Sequence, residues 1–229
     1  MRWLYLKDAY LKEFDANVVK VEENRIYLDA TAFYPGGGGQ PPDSGEVISQ
    51  KGFGRVVGIE GEAHIIEGTL PEVNEKIHCR IDWARRYRIM RTHTAVHLIS
   101  GVAYRKFGVT ITGNQLYEGS ARVDLSFENM NSELAKKIIE ESNLVAVKGI
   151  EVKAYYISKD EFLKRSELMR VNPALYEKYE NIRIVEIADF DAQADGGTHV
   201  RNTAEIGKII FKGYESKGKK NKRIYIELE

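Results

Sequence analysis

Cysteine is nearly missing from this 229-residue chain, which has one, Cys79. A lone cysteine closes no internal disulfide and excludes a cysteine-rich zinc ribbon, so any metal site must draw mainly on histidine and carboxylate. Net charge is missing too: Lys plus Arg and Asp plus Glu number 34 each. Without a global positive field, a nucleic-acid partner would need a local basic surface. No apolar run reaches membrane-spanning length, and the start, Met1-Arg-Trp-Leu-Tyr, lacks the apolar stretch of a signal peptide. The expected location is therefore the cytoplasm. Repeats and low-complexity tracts are also absent, which sets aside solenoids and arrays.

What remains is an ordinary globular composition, long enough for one large core or two modest ones. Segments 17–22 and 25–30 alternate apolar and polar residues around Glu23-Asn24, the pattern of a hairpin. A stretch rich in Gly and Pro follows, from Phe33 to Gly45, and then further strand patterns at 46–49, 55–59, 63–67 and 76–81. Short strands at this spacing predict a small β-barrel. The character changes near Asp82. Residues 83–107 carry a helical pattern with Met90, Ala95, Leu98, Val102 and Phe107 near one stripe, and Gly108 follows as a stop. Strands are expected at 109–117 and 120–127, a helix at 131–147 capped by Asn131 or Ser132, and a strand at 151–157. A short helix at 159–169 and strands at 182–187, 204–214 and 223–228 complete the pattern. The fold class is α+β, with domains at 1–82 and 83–229.

Two clusters carry chemistry. His93 and His97 are four residues apart on the expected helix, so both imidazoles leave one face and can share a metal. This is not the zinc-protease pattern, because Thr94 follows His93 and the helix glutamate is missing. Taken alone, the pair reads equally well as two histidines hydrogen-bonded at a helix surface. The second cluster is Asp191-Ala-Gln-Ala-Asp-Gly-Gly-Thr-His199. Its alternation aims Asp191, Gln193 and Asp195 to one side if extended, and Gly196-Gly197 permit a tight turn before His199. Three of the five histidines fall in these clusters; His64 and His78 lie in strand patterns and read as structural. Two histidines from a helix and one from a distant turn, with a position left open, is the usual catalytic arrangement for zinc. Asp195 could complete or support that site.

These motifs resemble the editing domain of alanyl-tRNA synthetase and its free-standing relatives, the AlaX proteins. The resemblance rests on Asp82-Trp-x-Arg-Arg-x-x-x-Met-Arg-x-His-Thr-Ala-x-His-Leu, on Gly119-Ser-Ala-Arg-Val-Asp-Leu-Ser-Phe127 and on Gly196-Gly-Thr-His-Val-x-x-Thr-x-Glu-Ile-Gly207. The segment Phe33-Tyr-Pro-Gly-Gly-Gly-Gly-Gln-Pro-Pro-Asp43 is similar to the motif of the extra N-terminal domain in medium-length members.

The resemblance implies a zinc-dependent deacylase that removes serine, with glycine as a further candidate, from tRNA(Ala), with one Zn2+ on His93, His97 and His199 and a zinc-bound water as the reacting group. Members commonly carry cysteine where this chain has Asp195, which leaves aspartate or water as fourth ligand. Thr94 is the candidate reader of the serine hydroxyl. Gly36, Gly37, Gly38, Gly39 and Gln40, together with Gln115, Arg122 and Asp124, are candidates for substrate binding. Two basic groups could face tRNA: Arg80, Arg85, Arg86, Arg88 and Arg91, and the run Lys217, Lys219, Lys220, Lys222 and Arg223. Both read as well as solvated charged faces. The alternative function is a zinc-stabilised RNA-binding module without catalysis.

Overall fold

A computed structural model describes residues 1–170, 176 and 178–229. The chain divides into two compact units, Met1–Ile89 and Met90–Glu229.

The first unit contains β1 (Arg2–Trp3), β2 (Glu13–Glu22), β3 (Arg25–Leu28), β4 (Ala30–Thr31), β5 (Gly45–Ser49), β6 (Gly52–Glu60), β7 (Ala63–Gly68) and β8 (Lys76–Ile81). Six of these strands close into a barrel in the order β2-β3-β7-β6-β5-β8. Closure leaves no exposed barrel edge. The expected hairpin is present, with Glu22 opposite Arg25 and Glu23 at φ 51°. Alternate residues of these strands, Phe14, Ala16 and Val18, then Ile26 and Leu28, and Ile77, Cys79 and Ile81, fill the interior. Cys79 is a core residue whose thiol burial pushes its pKa up to about 12. His64 lies fully buried, 2.9 Å from the Thr31 hydroxyl, and burial pulls it down to about 4.

Helix α1 (Trp83–Phe107) has the bounds that the sequence pattern predicts. Gly108 ends it at φ 65°, its N–H donating to Tyr104 O at 2.9 Å. The expectation of a single apolar stripe is too narrow, however. Between Thr92 and Ala103 every residue of α1 is buried, so this is a central helix rather than one lying on a surface. Phe107, assigned to the stripe, is 41% exposed.

The remainder of the second unit comprises β9 (Ile111–Tyr117), β10 (Ser120–Leu125), α2 (Ser132–Ala146), β11 (Val152–Ser158), α3 (Lys159–Lys164), β12 (Asn181–Ile187), β13 (Asp191–Ala194), β14 (Ile209–Gly218) and β15 (Asn221–Leu228). One antiparallel sheet runs β14-β15-β10-β9 and another β11-β12-β13. The Asn131 side chain caps α2 by accepting the Leu134 N–H at 2.8 Å. Two departures from the sequence pattern have local causes. The helix expected at 159–169 breaks at Arg165, whose non-helical backbone (φ −111°, ψ 78°) separates α3 from a 3₁₀ turn at Ser166–Leu168. The strand expected from residue 204 begins only at Ile209. Asn202 and Glu205 form a reciprocal capping box on a 3₁₀ turn, and Gly207 follows at φ 75°.

Candidate metal centre

His93 and His97 leave α1 one turn apart, as a four-residue spacing on a helix requires. Gly101 lies one further turn along the same face. A methyl group built on Gly101 would stand 2.6 Å from the Phe190 ring and 3.0 Å from Asp191 Cβ. The start of β13 therefore lies directly against the helix at Gly101, and the strand carries Asp191, Gln193 and then Asp195 along it. Glycine at this position sets the separation of the two elements. Gly101→Ala should cost about 1–3 kcal/mol by overpacking, read as a lowered midpoint in denaturant.

At the far end of this strand, donor atoms of His93, His97, Asp195 and His199 all lie within 4.8 Å of one another. The rings of His93 and His199 are 4.2 Å apart between centroids, and those of His97 and His199 are 4.5 Å apart. Asp195 Oδ2 accepts the Gly197 N–H at 2.6 Å and lies 3.0 Å from His199 Nε2, while Oδ1 lies 3.5 Å from His93 Nε2. One carboxylate oxygen thus braces the turn and the other faces a ligand histidine. Burial depresses all three imidazoles, His93 to about 3 and His97 and His199 below their ordinary value. Burial works against the Asp195 carboxylate, but attraction to His93 and the hydrogen bond from His199 outweigh it and hold the carboxyl well below its usual range. Three imidazoles and one carboxylate grouped in this way could hold a metal ion. His97 Nδ1 is buried with no hydrogen-bond partner, an orphan state that tightly packed interiors seldom tolerate. The donor set fits zinc.

Thr94 is fully buried, and its hydroxyl is committed inside the protein. It donates to Met90 O at 3.0 Å, accepts the Val200 N–H at 3.2 Å, and stands 3.2 Å from His199 Nδ1. A hydroxyl has one donor and two acceptor positions. All three are filled in the tautomer in which His199 Nδ1 carries the proton. Gln115 and Arg122 are cross-strand partners on β9 and β10, and Arg122 also faces Tyr225 of β15. Arg122 is half-buried and has no hydrogen bond or ion pair among the described residues. Asp124 receives a bidentate ion pair from Arg223, at 2.6 and 2.8 Å, which stabilises the sheet.

The glycine-rich turn belongs to the first unit. Gly36, Gly37, Gly38 and Gly39 all have positive φ, a run that residues with a side chain rarely adopt. Gly37 and Gln40 exchange backbone hydrogen bonds at 3.0 and 2.9 Å, and the Tyr34 hydroxyl donates to Gly37 O at 3.0 Å.

The two basic groups are largely neutralised by the fold. Arg86 has no exposed surface and pairs with Asp43, and Arg80 pairs with Glu13. Arg91 donates to the carbonyls of Ile206 and Glu229. In the later run Lys217 pairs with Glu215, Lys220 with Glu128, and Lys222 caps the carbonyls of Gly218 and Lys219. Sequence reading missed Arg183, which donates to Asp195 O and Gly197 O at 2.9 and 3.0 Å. No periodicity or spacing rule would have singled it out.

Comparison with known proteins agrees with this geometry. A family described as "Threonyl and Alanyl tRNA synthetase second additional domain" matches residues 182–225, and one described as "tRNA synthetases class II (A)" matches residues 6–85. The "Alanyl-tRNA editing protein AlaX-M" of Saccharolobus solfataricus is 44% identical over 230 residues, which covers 97% of this chain and 96% of that protein. The chain belongs to the AlaX-M family. The AlaX-M protein of Methanosarcina mazei is 38% identical over 98% of the chain. The alanine–tRNA ligase of Pyrococcus furiosus is 35% identical over 91% of the chain, a match that spans 24% of the ligase. The match thus corresponds to about a quarter of that synthetase.

Proposed function

We propose that this chain is a trans-editing deacylase that hydrolyses the ester of serine, and of glycine, wrongly attached to tRNA(Ala), using one zinc ion. The observation that carries the reading is the convergence of His93, His97, Asp195 and His199 in a family of alanyl-tRNA editing proteins. His93, His97 and His199 would hold the ion, with Asp195 as the fourth donor. Bound there, zinc supplies Lewis-acid chemistry, polarising an ester carbonyl and acidifying a water molecule to a pKa of about 7.

The protein's own groups do the rest. Burial favours the neutral form of the imidazoles, the form available as ligands. His199 Nδ1 lies 3.2 Å from the Thr94 hydroxyl, which would accept its proton in the tautomer that presents Nε2, beside Asp195, to an ion. Arg122, half-buried and unpaired among the described residues, binds a phosphate or the terminal ribose, and Gln115 beside it contributes an amide. Asp124 holds this surface in shape through Arg223. The turn of Gly36, Gly37, Gly38, Gly39 and Gln40 offers a second RNA-facing surface. At its tip Gly38 has open space around its α-carbon. Among the described residues no helix is long and apolar enough to cross a membrane; we infer a cytoplasmic site of action.

Thr94→Val preserves shape but leaves the Val200 N–H and His199 Nδ1 unpaired in a dry site. It should lower stability by about 1–3 kcal/mol and weaken zinc roughly 10–100-fold, whereas Thr94→Ser should approach wild type. Thermal melts and competition with a chromophoric chelator read both effects. The function itself is tested by incubating zinc-loaded and chelated protein with Ser-tRNA(Ala), Gly-tRNA(Ala) and Ala-tRNA(Ala). Cleavage of the serine ester only by the zinc form supports the reading; no cleavage of any ester by zinc-loaded protein refutes it.

A further inference from the structure

We propose that Arg183 is a positioning residue of the metal centre, a clamp that fixes the turn carrying two of its four donors. The inference rests on the zinc reading above and goes beyond it by assigning a residue outside the donor set.

Asp195 and His199 are separated by Gly196, Gly197 and Thr198. Two adjacent glycines make this the most permissive backbone near the site, and a permissive backbone does not hold donors in place by itself. Gly196 is exposed, with open space where a side chain would be. Order must therefore come from elsewhere, and Arg183 supplies it from β12. Its backbone carbonyl accepts the Asp195 N–H at 3.1 Å, extending the β12–β13 ladder by one step. Its Nη1 then donates to Asp195 O at 2.9 Å and to Gly197 O at 3.0 Å, and lies 4.0 Å from Asp195 Oδ2. One residue thus holds the first ligand by both its peptide groups and the turn by its second glycine.

The side chain of Arg183 is 8% exposed, and its Nε is buried with no hydrogen-bond partner. A buried guanidinium with a donor left unsatisfied is weak evidence of a stabilising role, because its desolvation offsets what its hydrogen bonds return. Its position is accounted for by the turn. Donors held loosely lose affinity for the ion, and removing groups that orient ligands typically weakens binding 10–100-fold.

The test uses the full chain stripped of metal and titrated with Zn2+ against a chromophoric chelator, and separately with Co2+, whose visible spectrum reports ligand geometry. Arg183→Met should bind Zn2+ 10–100-fold more weakly and show an altered Co2+ spectrum, while its metal-free melting temperature, lowered by the carbonyls left without a donor, is read separately. Arg183→Lys, which keeps the charge and a shorter donor, should recover part of the affinity. At saturating zinc, deacylation by Arg183→Met should return most of its kcat. If wild type binds Zn2+ and both variants bind as tightly with the same Co2+ spectrum, the clamp is wrong. If Arg183→Met fails to fold, the Lys variant decides by the same affinity and spectrum. If wild type itself binds no Zn2+, the metal reading falls and takes this inference with it, a result plainly different from wild-type binding that survives the substitutions.

Discussion

His97→Ala should abolish deacylation of Ser-tRNA(Ala) while leaving the fold intact. The imidazole is 5% exposed and its Nδ1 has no hydrogen-bond partner, so its removal breaks no internal hydrogen bond and opens only a small space. Its expected contribution is to the reaction. Lewis-acid stabilisation of a developing oxyanion amounts to several kcal/mol, and at about 1.36 kcal/mol per tenfold this means roughly three powers of ten in rate. Zinc affinity should fall with the activity. The control is Ala-tRNA(Ala), the correctly charged tRNA, which an editing enzyme should spare. Lost activity with an unchanged melting curve supports a catalytic ion. If His97→Ala and chelated wild type both unfold, the ion braces the fold, and a zinc-stabilised RNA-binding module becomes the better reading.

The elements that sequence reading placed well are those whose cause is local. Helix α1 could be bounded because its pattern starts after Asp82 and Gly108 stops it at positive φ. The barrel strands could be counted because alternation and turn residues lie side by side in the chain. The grouping of the histidines was legible for another reason. Histidine is scarce here, and three of five fall in two clusters, which the fold brings within 4.8 Å together with Asp195. Other features depend on partners far away in the chain. The basic residues near Arg80 and Lys220 look like a nucleic-acid surface until Glu13 and Glu128 are seen beside them. The full burial of α1 comes from what packs around it, and a periodicity argument sees only the helix itself. The contacts of Thr94 with residues 199 and 200 are likewise far away in the chain. Arg183 is one arginine among many until the turn it holds is in view.

The second large effect concerns stability. Arg86→Met should destabilise the first unit by about 3–5 kcal/mol, because it strands a buried carboxylate. Arg86 and Asp43 are 0% and 1% exposed at their side chains. The guanidinium reaches Asp43 through Nε at 3.0 Å to both oxygens and through Nη2, and it also donates to Ala9 O at 2.8 Å and Ala32 O at 2.7 Å. Lysine cannot reproduce this fork, so Arg86→Lys should fail nearly as badly. Asp43 Oδ2 also accepts the Tyr34 N–H at 2.6 Å, and the Tyr34 hydroxyl in turn holds Gly37 O. The ion pair thus anchors the glycine-rich turn from below. A domain is stable by only about 5–15 kcal/mol, so this loss should be visible as a large drop in the urea midpoint. Asp43→Leu alone should be about as costly, since it leaves the guanidinium unpaired. The double variant Arg86→Met with Asp43→Leu should recover a large part of the loss, because neither charge is then buried without its partner. Additive single and double effects would show instead that the two side chains act independently, and that the turn is held by its backbone bonds alone.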